Sequence, residues 1–282
     1  MITRFAPSPT GWLHLGHAYA AVFAHEEARQ AGGRFLVRLD DLDLTRARPV
    51  YEEAIFEDLA WLGLTWEAPI RKQSDHFEDY RDALRRLEAM GLLYPCFCTR
   101  REIQEEIARA GIAPQGPDGP PYPGTCRRLA ADQVEEQMAS GRDYAMRLDL
   151  GKALDLAGRN LDWLDLNHGR MIADPTPLGD VVLSRKETPT SYHLAVVVDD
   201  SAQDITLVTR GEDLLPSTHL HRVLQALLGL PVPVWKHHRL ITDESGRRLA
   251  KRDDARSLRS LREGGWTPDQ VRAAIGVPPP EV

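Results

Sequence analysis

The sequence contains no apolar run approaching the length of a membrane span, which excludes a membrane-crossing helix. Arg4 and the prolines that follow it interrupt any signal-peptide pattern, so the cytoplasm is the expected location. Only three cysteines occur in 282 residues, and an odd count in a cytosolic chain does not suggest a disulfide framework. An overall basic excess is also missing. The net charge of −7 argues against a general nucleic-acid binder. What remains is the composition of a water-exposed globular protein, 42% hydrophobic and 27% charged. Its length suggests two domains, or one with a large insertion.

The first twenty residues carry the densest signal. Ile2-Thr3-Arg4-Phe5 reads as a short strand, Ala6-Pro7-Ser8-Pro9-Thr10-Gly11 as a turn-rich loop, and Ala18 to Arg29 as a helix. A loop that opens a helix after a strand is a phosphate-binding arrangement, because N–H groups and the positive dipole end meet there. His14 and His17 flank Gly16, which has no Cβ to hold a flat ligand away from the backbone. Two surface histidines beside a helix start would be the plainer reading of the pair alone.

The whole string from Arg4 to His17, Arg-Phe-Ala-Pro-Ser-Pro-Thr-Gly followed by His-Leu-Gly-His, resembles the signature of class I aminoacyl-tRNA synthetases that activate glutamate, including their HIGH motif. The resemblance implies an α/β fold: a Rossmann-type catalytic core with an α+β, zinc-containing insertion. It implies that His14, Gly16 and His17 are catalytic, and that the two histidines contact ATP and stabilise charge developing on its phosphates.

Phe35 to Leu39 reads as a buried strand after a helix ending at Gly32-Gly33. This strand–helix–strand unit demands a parallel sheet. Asp40, Asp41 and Asp43 crowd the end of that strand, where open α/β sheets bind ligands, although a solvated acidic turn would look the same. The resemblance selects Asp40 for the substrate amino group, with aspartate where relatives carry glutamate. Val50 to Gly63 and Asp75 to Gly91 show helical spacing of apolar residues. Thr99 with Glu102 makes a capping box for a helix running to about Ala110.

All three cysteines, Cys96, Cys98 and Cys126, fall within one 31-residue window around a Pro/Gly-rich loop. Buried small hydrophobes plus a stray thiol are one reading. Clustering of all three favours zinc, yet no histidine lies between His76 and His168 to complete a site. The glutamyl-queuosine branch of the family is similar here, with Cys-x-Cys then Tyr-x₃-Cys, and implies Cys96, Cys98, Tyr122 and Cys126 as ligands of one structural zinc. A tyrosine ligand requires the metal to offset ionising a phenol of pKa about 10. Residues 143–184 hold short strand-like pieces, at Tyr144 to Leu148 and Asp180 to Leu183, and read only as mixed α+β. The resemblance makes residues 1–91 the first half of the catalytic domain, 92–189 the insertion with its zinc segment at 96–126, and 190–282 the second half.

In the second half, Asp204 to Thr209 alternates as a strand and delivers Arg210-Gly211-Glu212-Asp213 at its end. A guanidinium there can clamp a carboxylate with two parallel hydrogen bonds. The resemblance places Arg4, Phe5, Ala6, Pro7, Ser8, Asp40, Tyr192 and Arg210 around glutamate. Ser217 to Leu228 reads as a helix. Arg247-Arg248-Leu249-Ala250-Lys251-Arg252 resembles the KMSKS motif, with Lys251 matching the catalytic lysine and Arg248, Leu249 and Lys251 the ATP contacts. From Trp235 to Arg262 there are nine Lys+Arg against four Asp+Glu, so positive charge is segregated within an acidic chain.

Residues 253–282 leave room for about two short helices, so no anticodon-binding domain is expected. The glutamyl-queuosine branch accordingly sets the functional expectation. Its members activate L-glutamate with ATP and Mg²⁺ before any tRNA binds, then transfer it to the queuosine base in the anticodon loop of tRNA(Asp); a monomer is expected. The alternatives are a shortened enzyme charging the tRNA 3′ end, a small-molecule nucleotidyltransferase, and a non-catalytic RNA-binding paralogue.

Overall fold

β1 (Ile2–Phe5) is buried over Thr3, Arg4 and Phe5 and hands the chain to α1 (Leu15–Gln30) through the proline loop. Residues 1–110, 121–186, 188–241 and 257–278 are described in the computed structural model. The buried face of α1 is mostly alanine: Ala18, Ala21, Ala24 and Ala28 with Val22. Such small side chains let the helix lie close on β1, and the Thr3 hydroxyl donates to the Ala24 carbonyl at 2.8 Å. β2 (Arg34–Leu39) pairs in parallel with β1, and β3 (Glu67–Lys72) in parallel with β2 beyond α2 (Pro49–Trp61). β3 was not anticipated; its sequence is Glu-Ala-Pro-Ile-Arg-Lys, and proline is tolerated because the strand is at the sheet edge.

After α3 (Phe77–Ala89) the chain leaves this sheet. β4 (Leu93–Cys96), α4 (Arg100–Ala110), α5 (Ala131–Ala139), β5 (Ala145–Leu148), α6 (Leu150–Ala157), β6 (Asp162–Asp165), β7 (Gly169–Ile172) and β8 (Val182–Arg185) follow. The expected capping box opens α4: Thr99 N–H donates to the Glu102 carboxylate at 2.6 Å, and Glu102 N–H to the Thr99 hydroxyl at 3.2 Å. β4, β5 and β8 form a small antiparallel sheet. Asp180 pins its end by accepting from the Tyr94 hydroxyl at 2.6 Å, Arg127 at 2.8 Å and Leu150 N–H at 3.1 Å.

The β6–β7 hairpin departs from the expected insertion. β6 pairs in parallel with β10 (Val234–His238), which pairs in parallel with β9 (Leu207–Gly211), so residues 162–172 extend the second-half sheet. The cause is apolar: Trp163 and Trp235, 2% and 1% exposed, stack edge-to-face at 5.5 Å between centroids. β9 also starts later than its alternation suggested. α7 (Tyr192–Ala202) reaches Ala202, and the turn that follows consumes Asp204 in the left-handed region, at φ 53°.

β1 lies against β9. Thr206 N–H donates to the Ile2 carbonyl at 3.0 Å, and Ile2 N–H to the Thr206 hydroxyl at 2.8 Å. From β1 the chain winds outward through α1 to β2; from β9 it winds the other way through α8 (Leu215–Leu228) to β10. The carboxyl ends of β1 and β9 therefore meet at a topological switch point, where doubly wound sheets bind ligands. α9 (Leu258–Glu263) and α10 (Pro268–Ala274) pack back on the first half, with Leu258, Leu261, Val271 and Ile275 in the core beside α1 and α2. Among the described residues no helix is long and apolar enough to cross a membrane.

Candidate active site

A cavity of about 250 Å³ sits at that switch point. Of the residues expected to act there, Arg4, Phe5, Ala6, His14, Gly16, His17, Asp40, Tyr192 and Arg210 line it. Ser8 lines an adjoining recess that shares Ala6, Asp40 and Tyr192 with the first. Pro7 is buried, and its carbonyl accepts from Asp40 N–H at 3.1 Å, tying the proline loop to the end of β2. Arg248, Leu249 and Lys251 lie outside the described residues.

The two histidines build the start of α1. His14 is the N-cap; its Nδ1 accepts from Gly16 N–H at 3.0 Å, and His17 Nδ1 accepts from His14 N–H at 3.2 Å. This is a capping box made of two imidazoles rather than Ser and Glu. With both Nδ1 atoms accepting, the proton of each neutral ring sits on Nε2, which makes Nε2–H the donor. The rings are 3.9 Å apart between centroids. Gly16 has a second reason to be glycine: an added Cβ would lie 2.9 Å from the His14 ring.

Behind the cavity lies an ionic network that the sequence reading did not find. Arg4 clamps Asp200 from α7 with Nε at 2.9 Å and Nη2 at 3.2 Å, and donates through Nη1 to the Thr209 carbonyl at 3.2 Å. Arg38, fully buried in β2, donates to Asp40 at 2.8 Å and Asp200 at 2.7 Å. Arg71 donates to Asp199 at 2.7 Å, and Gln73 and Tyr80 each reach Asp199 at 2.8 Å. Three guanidiniums thus face three carboxylates beside the cavity, and Arg71 also binds the exposed Asp79 at 2.6 Å. Burial would raise the Asp200 carboxyl, but Arg4 and Arg38 outweigh it and hold it below the ordinary value. Burial wins at Asp40, pushed up to about 6 despite Arg38. The signals available were a charge inside the apolar run Phe35 to Leu39, and two acids after Val196-Val197-Val198.

Arg210 is built differently. It is 6% exposed, and among the described residues no carboxylate lies within 4.0 Å of it. Its Nε donates to His237 Nε2 at 3.1 Å, Nη1 to Tyr192 OH at 3.3 Å and to His221 Nδ1 at 3.2 Å, and Nη2 to the Thr218 hydroxyl. Burial and the Arg210 charge push the His221 imidazole well down, and the same two causes bring His237 down to about 4. Both rings are therefore neutral acceptors at physiological pH, and the guanidinium keeps its charge. A buried guanidinium that lines a cavity and has no directly paired carboxylate among the described residues can seat an anion with two oxygens.

The cysteine cluster lies between β4 and the turn at Cys126–Arg128. The sulfurs of Cys96, Cys98 and Cys126 all fall within 4.8 Å of one another. The Tyr122 hydroxyl is 3.4 Å from Cys98 Sγ and accepts from Cys126 N–H at 2.8 Å. Tetrahedral zinc with bonds of about 2.3 Å spaces its sulfurs about 3.8 Å apart, so the donor set fits. Arg147 lies 4.0 Å over the centre of the Tyr122 ring, and a cation there favours a phenolate ligand. Burial, helped by hydrogen bonds to Cys126, Cys96 and Cys98, pushes the Tyr122 phenol up, and a bound dication is the group able to reverse that.

A parallel sheet with its ligand cavity at the β1/β9 switch point, entered by a histidine-capped helix, defines the nucleotide-binding Rossmann class of enzymes. Within it, residues 1–276 match the family of class I tRNA synthetases (E and Q), catalytic domain, and the chain belongs to that family. It is 50% identical to the glutamyl-Q tRNA(Asp) synthetase of Rhodobacter capsulatus, over 98% of this chain and 100% of the relative. It is 38% identical to the glutamate–tRNA ligase of Aquifex aeolicus, over 99% of this chain and 58% of that one. Among solved structures, the glutamate tRNA ligase of Elizabethkingia meningosepticum in complex with its amino acid superposes with a TM-score of 0.76 at 27% identity. That match covers 95% of this chain and 59% of the ligase.

Proposed function

We propose that the protein activates L-glutamate with ATP, without needing tRNA, and transfers it to the queuosine base of tRNA(Asp). The observation that carries the substrate class is Arg210: a buried cation without a carboxylate partner among the described residues, in the same cavity as His14, Gly16 and His17. The end-to-end likeness to a glutamyl-Q tRNA(Asp) synthetase supports the acceptor.

Arg210 and Tyr192 bind a substrate carboxylate, and Asp40, ionised above about pH 6, attracts its ammonium. In activation, an oxygen of the α-carboxylate attacks the α-phosphorus of ATP, the bond to the bridging oxygen breaks, and pyrophosphate leaves. The Nε2–H groups of His14 and His17 donate to the phosphate oxygens as charge builds on them. Lys251, with Arg248 and Leu249, serves the same phosphates by its motif. Mg²⁺ arrives with ATP and offsets phosphate charge. A hydroxyl of the queuosine base then attacks the acyl carbon, and AMP leaves.

Cys96, Cys98, Tyr122 and Cys126 would hold one zinc, which locks the 96–126 segment and takes no part in the chemistry. In this reading residues 1–91 and 190–282 are the two catalytic halves, working as a monomer in the cytoplasm. The insertion spans 92–189, with the β6–β7 hairpin returned to the catalytic sheet. Glutamate-dependent ATP–pyrophosphate exchange without RNA tests the first step. Labelled glutamate offered with separate tRNAs tests the second. Label on the queuosine of tRNA(Asp) is the expected result; exchange that strictly requires glutamate tRNA, or label on a 3′ end, would overturn the reading in favour of a shortened charging enzyme.

A further inference from the structure

We propose that Asp165 and His237 are positioning residues that aim Arg210 at the substrate carboxylate and thereby set the affinity for the amino acid. The proposal deepens the functional reading above and rests on it.

Asp165 ends β6, on the hairpin that joins the catalytic sheet, and both it and His237 are 0% exposed. Its carboxylate is saturated. Oδ1 accepts from Asn167 N–H at 2.8 Å and His168 N–H at 3.0 Å; Oδ2 accepts from His237 N–H at 3.0 Å and lies 2.6 Å from His237 Nδ1. A carboxylate so supplied with donors stays ionised, so the proton on this edge belongs to His237 Nδ1. The opposite nitrogen, Nε2, must then accept. It receives Arg210 Nε–H at 3.1 Å, and the Thr218 hydroxyl lies 3.3 Å from it.

The relay settles a conflict that a direct contact would not. A carboxylate placed on Arg210 would occupy its donor fork and cancel the charge needed for substrate. With an imidazole between, Asp165 supplies compensating negative charge at one remove and fixes the ring tautomer. The guanidinium keeps a net positive charge and one orientation. This explains why a hairpin far from the HIGH segment in sequence is built into the catalytic sheet.

The test compares two small polar replacements of the same ring. In His237→Asn the amide falls at the Nδ1 position, retaining a partner for Asp165 and losing the acceptor for Arg210. In His237→Gln the amide oxygen reaches the Nε2 position and restores that acceptor. Glutamate-dependent ATP–pyrophosphate exchange is measured for both, with Asp165→Asn and the wild type. His237→Asn and Asp165→Asn are expected to raise KM for glutamate at least about tenfold, with kcat and KM for ATP within about twofold, the pattern of lost uniform binding. His237→Gln should return KM for glutamate to within about threefold of wild type. Equal behaviour of Asn and Gln, or a parallel rise in KM for ATP, would overturn the positioning role. A wild-type enzyme with no glutamate-dependent exchange would instead overturn the functional reading beneath it.

Discussion

Arg38 and Arg210 are both buried near the carboxyl ends of parallel strands, on opposite sides of the β1/β9 switch point, yet their surroundings have opposite electrostatics. Arg38 lies among Asp40, Asp199 and Asp200 and forms part of a balanced network joining β1, β2 and β3 to α7. Among the described residues, the side-chain hydrogen bonds of Arg210 go to imidazoles and hydroxyls. Burying a charge is expensive unless it is paired, so each arrangement needs its own explanation. In the first, the protein supplies the counter-charge and obtains a cross-link between its two halves. In the second, on the function proposed above, the counter-charge is left to the ligand, and what the protein supplies is orientation.

The sharpest way to break this comparison is to remove each guanidinium in turn. Arg210→Ala is expected to lower kcat/KM for glutamate activation about a thousandfold, or about 4 kcal/mol, while ATP binding is unchanged. Its melting temperature should hold or rise, because a buried charge with no directly paired carboxylate among the described residues has gone. A variant that activated glutamate normally would show that Arg210 is not the carboxylate seat.

Arg38→Leu should act mainly on folding. It leaves Asp40 without its guanidinium and takes one cation away from Asp199 and Asp200, and removal of one partner from a buried ion network costs about 3–5 kcal/mol. Urea denaturation of both variants at pH 7.5 decides the matter. If Arg38→Leu proved as stable as Arg210→Ala, the distinction between cross-link and ligand seat would fail.

Legibility in the sequence follows the same division. The HIGH residues and Arg210 were readable because each sits in a contiguous string whose chemistry is local. Thr99–Glu102 and the C-terminal end of α1 were readable for the same reason, whereas α1 starts at Leu15, three residues before the Ala18 its spacing suggested, because His14 caps it. The partners that make Arg38 and Arg210 different were not. Arg4 and Asp200 are 196 residues apart, Arg38 and Asp200 162, and Asp165 and His237 72. Only the winding of the sheet brings them together. Val196-Val197-Val198 shows how local preference is overruled: three β-branched residues lie in α7 because Leu194, Val196 and Val197 pack into the core with α8.

The cysteine cluster extends the comparison to a third case, in which the counter-charge we propose is a metal. Elemental analysis of protein purified without added metal should find about one zinc per chain. Cys126→Ser should lose it, and chelation should lower the melting temperature by about 5 °C, corresponding to about 2 kcal/mol for a chain of this size. Less than a tenth of an equivalent in an active sample would rule the site out.

The smallest effect is expected where the comparison is most easily misapplied. Asp58 in α2 is also a buried charge with poor compensation: its side chain is 0% exposed, both oxygens lack a hydrogen-bond partner among the described residues, and Arg262 of α9 stands 3.8 Å away. Burial lifts its carboxyl to about 6, with Glu57 adding to the rise and Arg262 opposing it. By charge alone it would qualify as a ligand seat. It differs from Arg210 in having no donors to orient it, and it faces a neighbouring helix rather than the cavity at the switch point. Asp58 is therefore a cost to stability rather than a site. A carboxyl whose folded pKa lies above its unfolded value binds its proton more tightly when folded. Stability therefore falls as pH rises from about 4 to about 6, and the deficit persists above that range. Asp58→Asn should remove the deficit. It is expected to gain about 1 kcal/mol at pH 7.5, the amide still lacking partners, and to lose that gain on acidification to pH 4. Equal urea midpoints for variant and wild type across that range would show that Asp58 is compensated, and that burial without hydrogen bonds overstates its charge.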